Sequence, residues 1–131
     1  MMKIVFVLLA LFIISGVTIA EAGQVGLGSY LQRLDSQAKN DLNVFSSKLS
    51  SHFGVPESQV RTVISTVKKP SHAFVCLQLS QWTQKPIEQV VEVYKANNAW
   101  TAILEKVGIK PESAEFRDMK DGNFKFSGSK Y

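Results

Sequence analysis

The pairing in this chain with the clearest capacity for chemistry is His72 and Cys76. If their segment is helical they share a face at i, i+4, where an imidazole beside a thiol can lower its pKa and make a nucleophile. The same spacing could hold a soft metal ion, but a metal needs more than two ligands. Cys76 lies in the most apolar run of the chain after the N-terminal segment, Ala73 to Leu77, and a nucleophile needs access. With one cysteine in the whole sequence, no intramolecular disulfide can form. Core packing is therefore the expected role of Cys76 and His72, and thiol chemistry is the competing one.

Other constellations are weaker. Glu88 with Glu92, and Glu112 with Glu115, fit solvated helix surfaces with lysines nearby. There is no Gly-rich phosphate loop, Gly-x-Ser-x-Gly elbow or paired metal motif, so no cofactor or metal is expected. Pro86 to Val107 reads as two short helices about an Asn-Asn turn, which superficially resembles a helix-turn-helix. A recognition helix should open with basic or amide side chains, however, and here Ala99, Thr101 and Ala102 occupy that place, which argues against nucleic acid. Trp82 and Trp100 sit near helix ends, and Phe124 and Phe126 lie beyond Gly122. All four are candidate partner contacts, with packing on the core as the alternative.

The elements that would position these residues begin with a leader. Lys3 gives a positive start, Ile4 to Ile14 is apolar throughout, Ser15-Gly16 breaks the run, and Ala20-Glu21-Ala22 offers a small-x-small cleavage site. Residues 1–22 are accordingly expected to be a signal peptide, directing the chain to a periplasmic or extracellular location. An uncleaved anchor is the alternative, but the apolar run is shorter than the roughly 20 residues a spanning helix needs. Once cleaved, the chain would keep no stable membrane anchor. The formal charge of +4, from 15 basic and 11 acidic residues, is unchanged by loss of Lys3 and Glu21 with the leader. Spread along the chain, that charge favours solubility and does not by itself make a nucleic-acid binder.

Gly23, Gly26 and Gly28 suggest a flexible lead over residues 23–30. A first helix is expected from Ser29 to His52, with Leu31, Leu34, Ala38, Leu42, Phe45, Leu49 and Phe53 as one stripe and Gly54 as its stop. His52 reads as an exposed capping histidine. Pro56 opens a second helix carrying Val60, Val63, Ile64 and Val67, closed by Lys68-Lys69. Ser71 to Trp82, capped by Ser71, is apolar nearly all round, as only a buried central helix can be. Ile87, Val90, Val91 and Tyr94 mark a fourth helix; Trp100, Ile103, Leu104 and Val107 mark a fifth, ended by Gly108. A last helix from Pro111 to Gly122 competes with an Asp121-Gly122 hairpin that would set Phe124 and Phe126 on a strand. The recurring spacing reads as amphipathic helices around one core, not as an internal repeat. The expected fold is all-α: a single bundle of about five to six helices around a buried central helix at about 71–82, with a helical domain over 31–122 and a tail over 123–131.

From Ser71 onward, His-Ala-Phe-Val-Cys-Leu-Gln-Leu-Ser-Gln-Trp-Thr-Gln-Lys-Pro and then Val107-Gly-Ile-Lys-Pro-Glu-Ser-Ala-Glu-Phe116 resemble a group of small exported bacterial proteins. That group carries an alanine-rich helix, a Gly-Lys-Pro turn, a Val-x-x-x-Tyr helix, a Gly-Trp-Gly and a Leu-Gly-Ile-Lys-Pro-Gly-Ser-x-Glu-Phe motif. The resemblance covers roughly the last 60 residues, is most specific at Gly108 to Phe116, and implies export and a helical fold, with no activity assigned to the group. Gln84 stands where the group has its turn glycine, and Ala99 and Thr101 replace the glycines flanking the tryptophan.

Together these observations point to an exported, non-enzymatic helical protein that binds a protein or another component of the bacterial envelope. The competing readings are a thiol-dependent or redox enzyme using Cys76 and His72, and a carrier of small apolar ligands.

Overall fold

The computed structural model describes residues 26–127, so the proposed leader lies outside the described residues. Seven helices pack together, and no strand occurs among the described residues. They are α1 (Leu27–Asn40), α2 (Leu42–Phe53), α3 (Glu57–Thr66), α4 (Pro70–Thr83), α5 (Ile87–Ala96), α6 (Trp100–Lys106) and α7 (Ala114–Asp121). As its composition requires, α4 runs through the middle: Ser71 and every residue from Ala73 to Leu79 are buried. Helices α1, α2, α3 and α5 pack against it, while α6 rests on α5 and α7 on α1.

Four local expectations are corrected. The helix expected over Ser29 to His52 is two helices, because Asp41 adopts an extended backbone and its carboxylate accepts the Val44 N–H at 3.1 Å, capping α2. The break turns Leu42 out of the stripe, and it is 45% exposed while Phe45 and Leu49 are fully buried. At the other end, α1 starts inside the stretch expected to be a flexible lead. Leu27 packs on the core and Tyr30 is buried within it.

Helix α3 ends at Thr66, leaving Lys68 and Lys69 outside it. Pro70 opens α4, and a residue before proline is driven to extended backbone, as Lys69 is at φ −141°, ψ 149°. Ser71 does not cap α4 with its own side chain. Instead Asp35 of α1 accepts both the Ser71 N–H and the Ser71 hydroxyl, each at 2.9 Å.

One unit does recur, apart from the shared helical spacing. In Leu49-Ser50…Gly54-Val55-Pro56…Gln59-Val60 and Leu79-Ser80…Gln84-Lys85-Pro86…Gln89-Val90 the identities fall at matching places. The geometry matches too. Ser50 donates to the Val55 carbonyl as Ser80 donates to that of Lys85, each just before a proline that opens the next helix. Both helices stop in the left-handed region, Gly54 at φ 68° and Gln84 at φ 62°. The α2–α3 and α4–α5 corners are thus the same turn built twice.

The described part of the tail, residues 123–127, folds back on the core, and the competing hairpin does not form. Ser113 caps α7 by accepting the Phe116 N–H at 3.1 Å, and Gly122 ends it at φ 69°. A side chain at Gly122 would also meet the Gly26 carbonyl oxygen at 2.8 Å, so glycine is required here twice over. Beyond it, Phe126 is buried and its carbonyl accepts the Tyr30 hydroxyl at 2.7 Å.

Candidate functional site

Cys76 and His72 share α4, but the structure gives them different surroundings. Cys76 is fully buried, and burial pushes its thiol up to about 12. A group so placed stays protonated at neutral pH and offers solvent no sulfur. His72, one turn nearer the N-terminus, is half-buried at the margin of the bundle.

Three elements converge on His72. Its Nδ1 lies 2.7 Å from the hydroxyl of Tyr94 on α5, and that hydroxyl accepts the Lys68 backbone N–H at 3.0 Å from the α3–α4 connection. A phenol has one proton to give. With the Lys68 N–H on its oxygen, the trio is satisfied when Tyr94 donates to an unprotonated Nδ1 and the imidazole keeps its proton on Nε2. The electrostatics favour this neutral form: burial lowers the His72 pKa, Asp35 pulls it back up, and Lys69 and Lys68 lower it further. The Tyr94 phenol is raised, by burial first, against the Lys68 backbone bond and with a contribution from Cys76.

Trp100 at the start of α6 completes the group. Its ring meets His72 edge-on at 5.0 Å and lies tilted over Tyr94 at 5.6 Å. Between these rings, Thr66, Lys68, Asn98 and Ile103 is a cavity of about 170 Å³. A wider and shallower cleft of about 370 Å³ lies between the two equivalent corners, lined by Phe53, Val55 and Gln59 on one side and by Ser80, Gln81 and Gln84 to Ile87 on the other. Its only charged group is Lys85.

The remaining candidates gather elsewhere. Trp82 is half-buried and packs on Phe124 at 5.9 Å, and Phe124 lies over Phe74 and Tyr30. Phe126 stacks on Phe74 at 5.3 Å inside the core. Trp82, Phe124 and Phe126 therefore share one aromatic cluster, and Trp100 belongs to the separate His72 group. His52 is exposed, its ring edge-on to Phe53 and Phe126.

Sequence reasoning places Tyr94 only in an apolar stripe and Lys68 only as a helix-closing lysine, and passes over Asp35. A tyrosine on a buried stripe carries a hydroxyl that needs a partner, which was the available signal. Nothing local marked Asp35. Among the described residues no group of three or more His, Cys, Asp or Glu side chains is placed to hold a metal ion, and no helix is long and apolar enough to cross a membrane. Comparison with protein-family models, with curated proteins and with solved structures returned no match.

Proposed function

We propose that this chain is an exported helical protein of the bacterial envelope that acts by binding and not by catalysis. The observation that carries this reading is the state of its one thiol. Cys76, the sole candidate nucleophile of the competing enzyme reading, is sealed in the core and held protonated. A buried thiol is also what an oxidising compartment tolerates in a protein that cannot form an internal disulfide. The accessible chemistry is instead the His72–Tyr94–Trp100 pocket, built from aromatic walls and hydrogen-bond donors, as binding sites are.

Kinship with the small exported proteins that share the Gly-Ile-Lys-Pro-x-Ser-x-Glu-Phe motif belongs to the same proposal. In its support, the motif residues have structural work in this fold: Gly108 turns at φ 103° and Ser113 caps α7. Gln84, which replaces the group's turn glycine, sits in the backbone region glycine favours.

Two measurements test the reading. Expression from the full sequence with intact-mass determination of the exported fraction should give a chain beginning at Gly23; retention of residues 1–22 in the cytoplasm counts against export. Iodoacetamide should leave Cys76 unmodified until denaturant is added, whereas rapid alkylation of the native protein would restore the thiol-enzyme reading.

A further inference from the structure

The pocket bounded by His72, Tyr94 and Trp100 is unbalanced in its charged groups. Lys68 and Lys95 border it, and no aspartate or glutamate does. Lys95 is engaged by Glu92 at 3.3 Å, whereas Lys68 forms no ion pair among the described residues. Among the described residues neither the Trp100 indole N–H nor the solvent-exposed Asn98 side chain forms a hydrogen bond, while the Tyr94 hydroxyl is committed to Lys68 and His72. Positive charge without a lining carboxylate thus stands beside an apolar surface formed by the Trp100 ring and Ile103.

Size narrows the occupant. At about 170 Å³ the cavity exceeds the roughly 30 Å³ share of a single water several-fold, yet falls short of the roughly 300 Å³ at which drug-sized pockets begin. We propose that this pocket binds a small organic carboxylate, its apolar body against Trp100 and Ile103 and its charge on Lys68. The inference rests on the binding-protein reading above. Its test requires neither export nor an envelope partner, so the two fail separately.

The experiment is an NMR titration of the purified protein, following the two tryptophan indole N–H signals, which the Trp82→Phe variant assigns. Sodium benzoate serves as the probe, with benzamide as its uncharged counterpart and inorganic phosphate as an anion without an apolar body. The expected result is a saturable shift of the Trp100 signal with benzoate, at least fivefold weaker binding of benzamide and of phosphate, and an unmoved Trp82 signal. Lys68→Gln, at an exposed side chain, should weaken benzoate at least fivefold, leave benzamide unchanged and keep the parent thermal midpoint. The proposal is overturned by a non-saturating response, by equal affinities for benzoate and benzamide, by phosphate binding as tightly as benzoate, or by a folded Lys68→Gln variant that binds benzoate as the parent does.

Discussion

Asp35 of α1 and Ser71 of α4 are joined by two hydrogen bonds, the carboxylate accepting the backbone N–H through Oδ1 and the side-chain hydroxyl through Oδ2, each at 2.9 Å. The cap of the central helix is therefore supplied from another helix. A negative group at this end also suits the helix dipole, so the contact fixes the register of α1 on α4 as well as satisfying the α4 N-terminus. Ser71 itself is fully buried, and water cannot take over if the carboxylate is removed.

Asp35→Ala should accordingly cost about 2–4 kcal/mol, since it orphans a buried N–H and a buried hydroxyl. Ser71→Ala removes only the hydroxyl bond and should cost about 1 kcal/mol. Urea unfolding of the two single variants and the double variant checks this. The double variant should be less destabilised than the sum of the singles; strict additivity would show that the two residues do not act as a pair.

Tyr94→Phe keeps the ring in the stripe and removes the atom that holds Lys68 and His72. Loss of the partner for a partly buried N–H and for an imidazole nitrogen should cost about 1–2 kcal/mol, seen as a lower urea midpoint at unchanged slope. The imidazole nitrogen spectrum of His72 in the parent should show the Nε2–H tautomer, and Tyr94→Phe should free the ring to exchange between tautomers.

Both histidines are depressed in the folded protein, His52 by burial and His72 by burial together with Lys69 and Lys68 against Asp35. The unfolded chain, with histidines near 6.5, then binds protons that the folded one refuses. Stability from this source is fully present above about pH 7 and is lost as pH falls through about 6.5 towards the folded values. Urea midpoints measured between pH 5 and 8 should therefore fall on the acid side, and replacement of His72 by Gln should flatten the fall. A midpoint that rises on acidification would contradict the assignment.

Gln84 occupies, in the α4–α5 corner, the place that Gly54 occupies in the equivalent α2–α3 corner, with nearly the same backbone angles. A side chain in the left-handed region costs about 1–2 kcal/mol, which glycine avoids at some entropic expense in the unfolded chain. Gln84→Gly should raise stability by roughly 0.5–1 kcal/mol despite losing the exposed bond from Gln84 Nε2 to the Gln81 carbonyl. A lower thermal midpoint would refute the equivalence of the two corners.

The central helix was legible because a run with no polar face has only one place to go, and the stripes of α3, α5 and α6 followed from their spacing. The break at Asp41 was not, since the rhythm of apolar residues runs on through Leu42 while one side-chain cap redirects the backbone. The recurring corner was present in the letters Leu-Ser, Pro and Gln-Val, but few identities stand out until the backbone angles coincide. The candidate pocket was the least legible part. Lys68, His72, Tyr94 and Trp100 come from three helices and a connection, and periodicity within one segment says nothing about which polar tips meet across segments. Asp35 with Ser71 is the same case, a contact 36 residues apart.

The bond from the Tyr30 hydroxyl to the Phe126 carbonyl spans 96 residues and ties α1 to the stretch that follows α7. During synthesis, α1 would leave the ribosome long before its closing partner. A nascent fragment that stops short of Phe124 and Phe126 lacks the rings that close the aromatic cluster around Phe74, so that part of the core is the last to be completed.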